Sequence, residues 1–268
     1  GAYELKHAYQ SIHCTAFDYK TGTVTVRNDY LFKTLNDKVC CTWTAFGADG
    51  TKARAMACPR SRKIHEYVRK TYADYAAAEL DTEVTIETYV QAKQSWWDNK
   101  ATVYTQDEDG AYFLYNMACS EEDAAKLDSN VVIRVTGTKT QWSGEVEIAD
   151  ATFEIVDDAT PYVAVAKDAT ELLGQDSLVD LQNQLVSFTD MEVTAVSYKN
   201  NEPGDDIYVN LAKDGTEYYF CLEYYLNGSD EEFYNLVGNL EVGSIVDVES
   251  FLYWYEGPNG HLTKVTVK

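Results

Sequence analysis

The chain has 268 residues, room for two or three small domains, with 45% hydrophobic and 13% aromatic residues, the latter led by 21 tyrosines. No apolar run is long enough to span a membrane, and no signal-peptide pattern opens the sequence. The net charge of −22 is unevenly split: residues 1–70 hold 12 Lys/Arg against 6 Asp/Glu, and residues 71–268 hold 10 against 38, so that +6 gives way to −28. A module at −28 repels a polyanion, which sets nucleic acid aside as a partner. Acidity of this kind suits solubility, and the expected location is secreted or cell-surface, with a native signal outside this chain.

Residues 3–46 read as extended. Val24-Thr25-Val26 alternates after a Lys20-Thr21-Gly22 turn, Cys40 to Phe46 forms another β-rich run, and Asp49-Gly50 marks a turn. Within this stretch Tyr9-Gln10, Phe17-Asp18, Gly22, Val24, Val26, Asn28, Tyr30-Leu31-Phe32, Leu35, Asp37, Trp43 and Asp49-Gly50 form a pattern. It resembles the immunoglobulin-like linking domain (domain 4) of large family 2 β-galactosidases. The resemblance covers residues 3–50 and stops short of that domain's further strands. It implies a partial β-sandwich segment over residues 1–50 and a parent context of β-linked sugars. It carries no catalytic residue across, because those lie in a barrel this chain does not contain.

Residues 51–70 carry Lys52, Arg54, Arg60, Arg62, Lys63, Arg69 and Lys70 against Glu66 alone, and read as a basic linker. Thr71 with Asp74 three residues on marks a short helix. Strands follow at 84–93, 101–106 and 111–118, the last two a hairpin about Asp109-Gly110. Ser120 with Glu121, Glu122 and Asp123 opens a helix, since carboxylates in the first turn complement its dipole. Strands at 131–139 and 144–155 complete the set.

The same punctuation then returns. Val84-Thr85-Ile86, Asp109-Gly110 and Trp142-Ser143-Gly144 answer to Val186-Ser187-Phe188, Asp214-Gly215 and Tyr255-Glu256-Gly257, at offsets growing from 102 to 113 residues. Unequal loops in two copies of one small fold produce such drift. In the second copy the strands are 185–196, 207–211, 216–224, 244–251 and 261–267, with a helix over 229–236. The order β-β-β-α-β-β is that of the OB-fold, a five-stranded barrel. The expected architecture is mainly β: a first OB-like domain over 71–156, a linker over 157–169, and a second over 170–268. These copies resemble tandem OB-like modules of uncharacterised exported bacterial proteins, a likeness that implies a fold and a location but no activity.

Chemistry is sparse. The cysteines, Cys14, Cys40, Cys41, Cys58, Cys119 and Cys221, include no Cys-x-x-Cys, so neither a zinc site nor a redox motif is expected. The histidines, His7, His13, His65 and His261, lack metal-ligand spacing. Asp107-Glu108-Asp109-Gly110 opens like a calcium loop, but Ala118 stands where a bidentate Glu is required, so it reads as a hairpin turn. No catalytic residue, metal or cofactor is expected.

OB-folds bind through the face of strands two and three and through the loops between strands one and two and between four and five. Those loops hold Trp96, Trp97 and Trp142 in the first copy, and Tyr198, Tyr253, Trp254 and Tyr255 in the second, which includes four of the five tryptophans. Flat rings there can stack on sugars or bases or fill a barrel end. With polyanions set aside on charge, the expected function is a non-catalytic, exported binding or spacer protein whose aromatic loops take carbohydrate or a protein surface. The alternatives are an accessory fragment of a family 2 glycoside hydrolase and, disfavoured by charge, single-strand nucleic-acid binding.

Overall fold

The structure, a computed structural model, describes four strands within residues 12–57, then residues 71–156 and 162–268. The chain divides into two compact units, residues 1–69 and 70–268. In the first, β1 (Ile12–Asp18) pairs antiparallel with β2 (Thr23–Asn28), and β3 (Thr42–Phe46) with β4 (Lys52–Ala57). The expected linker thus begins with a strand: Lys52-Ala-Arg-Ala-Met-Ala57 alternates charged and small or apolar residues at the strand period, a pattern its positive charge conceals. The remainder of that stretch, 58–70, and residues 157–161 of the second linker lie outside the described residues.

The second unit opens with α1 (Tyr72–Ala77), closed at its start by the capping box of Thr71 and Asp74. Then come β5 (Thr82–Lys93), β6 (Lys100–Gln106), β7 (Ala111–Ala118), α2 (Glu121–Ala124), β8 (Val132–Trp142) and β9 (Glu145–Ile155). These strands close a barrel in the order β5-β6-β7-β9-β8, with β7 and β9 parallel and all other neighbours antiparallel. Alternation along β5 sends Val84, Ile86 and Val90 inward, where they meet Leu114, Met117, Ile133, Val135 and Ile148. Ser120 caps α2 as its sequence predicts. At the Asp107 turn, Oδ1 accepts the backbone N–H groups of Asp109 and Gly110, an ordinary hairpin closure.

The second barrel repeats these connections. After a short β10 (Lys167–Asp168) and two 3₁₀ turns come β11 (Leu185–Tyr198), β12 (Ile207–Lys213), β13 (Thr216–Leu222), α3 (Tyr224–Asn227), α4 (Glu231–Gly238), β14 (Ile245–Phe251) and β15 (Asn259–Val267). The strand order is β11-β12-β13-β15-β14, closed by β11 against β14. Its helical connection is split in two, and α4 is capped by Asp230 rather than starting at Ser229. Both halves are therefore OB-like barrels with the same strand connections. Cys119 and Cys221 are buried free thiols.

The two barrels share a core. Tyr104 of β6 and Phe113 of β7 point out of the first barrel and are buried under the second, against Phe251, Tyr253 and Leu185. The Tyr104 and Phe251 rings stack with centroids 4.7 Å apart, and Phe113 meets Tyr253 edge-on at 5.3 Å. Beside them Gln106 Oε1 accepts the backbone N–H of Leu185 at 2.8 Å. Replacing Phe251 by Ala removes the central ring and is expected to cost ~3–5 kcal/mol. In hydrogen exchange the loss of protection should reach β6 of the first barrel as well as β14; unchanged exchange in β6 would show that the barrels are not coupled through this ring.

Candidate functional site

On the second barrel the equivalent face is open. β12 and β13 pair Asn210 with Tyr219 and Tyr208 with Cys221, and the alternation turns Tyr208 and Tyr219 outward, the latter 59% exposed. Between this face, the first 3₁₀ segments and the β14–β15 loop lies a groove of about 900 Å³. Its aromatic lining is Tyr208, Tyr218, Tyr219, Phe220, Trp254 and Tyr255, and its ionisable carboxylates are Asp176, Glu217 and Glu256. Among the described residues no Lys or Arg lines it.

The β14–β15 loop turns sharply, with Glu256 and Gly257 at positive φ and Tyr255 N–H donating to Gly257 O. The β8–β9 turn of the first barrel does the same through Ser143 and Gly144 (φ +96°). These two equivalent loops meet. Glu256 N–H donates to Ser143 O at 2.7 Å, and the Trp142 and Tyr255 rings lie 5.3 Å apart. The Trp254 indole lies over Gly144 so closely that a Cβ there would stand 2.6 Å from Cδ1.

Beneath the loops sits Glu145, fully buried. Its Oε2 accepts the Trp254 backbone N–H at 2.9 Å and the Gln182 side-chain amide at 3.3 Å, while Oε1 makes no hydrogen bond among the described residues. Gln182 also donates to Gly144 O, and Asn183 to Val146 O. Burial raises the Glu145 carboxyl to about 8, with nearby Glu147 adding to the shift against the lowering hydrogen bonds; burial raises Glu147 itself to about 7. Across the same junction His261 Nδ1 lies 2.7 Å from the Tyr104 hydroxyl. Gln94 Nε2 donates to that hydroxyl, which leaves its hydrogen for Nδ1. Burial drives His261 down to about 3, so the ring is neutral.

The aromatic residues singled out by sequence are distributed unevenly. Trp254 and Tyr255 line the groove, and Trp142 (53% exposed) stacks on Tyr255 at its rim. Trp97 is 70% exposed and lies away from the groove lining. Trp96 is partly buried, its indole N–H donated to Cys119 O at 2.9 Å. Tyr198 packs on Gly238 and Tyr234, and Tyr253 stacks on His261 at 4.3 Å in the shared core. The residues missed were Tyr208, Tyr219 and Glu145. The first two were within reach, because strand alternation on β12 and β13 places them on the face this fold uses for ligands. Glu145 is one of 44 acidic residues, and nothing local distinguishes it.

No family model matches the chain, and no curated protein matches it. Solved structures do. A murine DNA-binding protein bound with double-stranded DNA is 10% identical, with TM-score 0.35, covering 69% of this chain and 96% of its own. The p202 HIN1 domain in complex with a 12-mer double-stranded DNA is 12% identical, TM-score 0.34, covering 72% and 96%. A replication protein A heterotrimer bound to single-stranded DNA is 14% identical, TM-score 0.30, covering 69% and 49%.

These findings correct two expectations. Nucleic acid was set aside on charge and carbohydrate favoured in its place, yet the similar structures are described as DNA-bound. Likeness this distant says nothing of this chain's own ligand. The exclusion on charge is withdrawn, and with it the carbohydrate reading that had gained from it; the glycosidase-accessory alternative, which rested on the resemblance of residues 3–50, is withdrawn as well. The physical reason is that net charge measures phosphate contacts only, whereas stacking on an aromatic face needs no phosphate neutralisation.

The buried groups set opposite pH slopes. Glu145, Glu147 and Glu223, the last also raised to about 7 by burial, hold protons in the fold that the unfolded chain releases above its ordinary carboxyl range near 4.5. Their stabilising contribution is complete below that range and is lost as pH rises through 7 to 8. His261 works the other way: its contribution is complete above 6.5 and is lost as pH falls towards 3. Urea denaturation should therefore show stability falling from pH 6.5 to about 8 and levelling beyond, with a shallower fall in Glu145→Gln. An identical fall in that variant would remove Glu145 as its source.

Proposed function

We propose that the chain is a non-catalytic binding module that takes single-stranded nucleic acid in the groove of the second barrel, through the bases rather than the phosphates. The observation that carries this reading is the open face of β12 and β13. Tyr208 and Tyr219 stand outward there beside Trp254 and Tyr255, while the matching face of the first barrel, with Tyr104 and Phe113, is covered. Bases in a duplex are stacked on each other, so rings of this kind reach only an unpaired strand. A carboxylate-lined groove without Lys or Arg leaves the phosphates in solvent, and its carboxylates can accept hydrogen bonds from base amino groups.

Base stacking of this type is worth ~1–3 kcal/mol per base. Fluorescence anisotropy with short oligo(dT) and oligo(dC) should detect binding. Tyr219→Ala should weaken it by about that amount with unchanged thermal unfolding, and Trp254→Ala by at least as much, with a lower unfolding temperature because its indole packs on Gly144 and the core. Because few phosphates are neutralised and the surrounding charge repels them, affinity should hold or rise as salt screens that repulsion, unlike that of a phosphate-binding groove, whose slope is about −0.7 per contacted phosphate. Absence of binding at moderate salt, or affinity that collapses as salt rises, would overturn the reading.

A further inference from the structure

We propose that Glu145, a residue of the first barrel, is the positioning residue of the second barrel's groove: its carboxyl holds the Trp254 main chain at the groove rim and so sets the groove's affinity for its ligand. The ligand part of this inference rests on the reading above; the positional part does not. Three contacts make the connection. Glu145 Oε2 receives the Trp254 N–H, Gln182 ties the same oxygen to Gly144 O, and Gly144 leaves the space that the Trp254 indole occupies. Trp254 lines the groove on its other side. A movement of this carboxyl therefore moves the rim.

The carboxyl sits where a charge is poorly tolerated. Facing it are Glu147 from its own strand, Tyr72 and Tyr75 from the start of the unit, Gln182 and Asn183 from the turn before β11, and Tyr253 and Trp254 from the β14–β15 loop. Lys139 of β8 lies over the Tyr75 ring and donates to the carbonyls of Tyr75, Ala76 and Ala78. His261, stacked on Tyr253, is neutral over the whole range concerned. In its neutral form Glu145 accepts the Trp254 N–H and fits its apolar surroundings. In its ionised form it is withdrawn from water beside a second carboxylate, against which the bonds from Asn183, Trp254 N–H and Gln182 favour the charge. Burial places this ionisation near pH 8.

The test follows the Trp254 backbone amide by ¹⁵N NMR from pH 6 to 9 in the whole chain, together with oligo(dT) affinity over the same interval. In wild type the amide resonance should titrate with a midpoint at about 8, as the carboxyl that accepts its N–H ionises. Glu145→Gln keeps an acceptor without a charge, so its amide should not titrate and its affinity should hold at the wild-type neutral value. Glu145→Ala should weaken binding at every pH; should it fail to fold, the Gln variant and the titration still decide. A Trp254 amide that ignores pH, or a Gln variant that reproduces the wild-type pH profile, overturns the proposal. If wild type binds no oligo(dT) at any pH, the stacking function falls instead. The amide titration then judges Glu145 alone, supporting it if the resonance moves and sinking it if it does not.

Discussion

The arrangement depends on one contact surface: the outer face of β6 and β7 buried under the end of β14 and the loop that follows it. Tyr104 and Phe113 lie on the face through which an OB-fold ordinarily meets a ligand. Here that face meets Phe251 and Tyr253 of the same chain. Burying three large rings stabilises the pair through apolar area and ring geometry together. It also covers one of two equivalent strand faces and leaves the other, over β12 and β13, open.

The polar groups of the junction follow from that burial. Tyr104, His261, Gln106, Glu145, Gln182 and Asn183 are withdrawn from water along with the rings, and each needs a partner inside. Most find one across the boundary between the barrels. His261 does so as a neutral ring, which the Tyr104 hydroxyl can satisfy. Glu145 satisfies only one of its oxygens, and that imbalance separates it from the other buried groups of the junction. A half-satisfied carboxyl is costly in a static core. At a point where two loops meet beneath an open groove, the same imbalance makes the contact sensitive to protonation.

Much of the fold was legible in sequence for local reasons. Alternation marked β5 and β11, Asp-Gly marked the β6–β7 and β12–β13 turns, and Ser120 and Thr71 with their carboxylates marked helix starts. Each of these signals is written within a few residues. β4 was hidden because its charged residues, Lys52 and Arg54, alternate with alanine, and charge is read more readily than period. The shared core was illegible for a different reason. Tyr104 and Phe113 look like any strand aromatics, and their burial depends on residues some 140 positions away. The same holds for Trp96, whose indole turns in to Cys119 O although its neighbour Trp97 stays in solvent.

Whole-chain charge misled because it averages over surfaces that never meet the ligand. A balance of −28 over residues 71–268 describes the far field, which governs approach and phosphate contacts. Inside the groove the relevant quantities are ring area, the directions in which Tyr208 and Tyr219 project, and the three carboxylates at its border. Those carboxylates repel a phosphate but accept a hydrogen bond from a base amino group, so one feature can oppose a strand's backbone and favour its bases. Recognition built on that difference is slow to assemble, since the far field repels the strand, and does not weaken as salt rises. An acidic barrel with an aromatic groove is thus physically consistent with binding an unpaired strand, provided that the phosphates face outward.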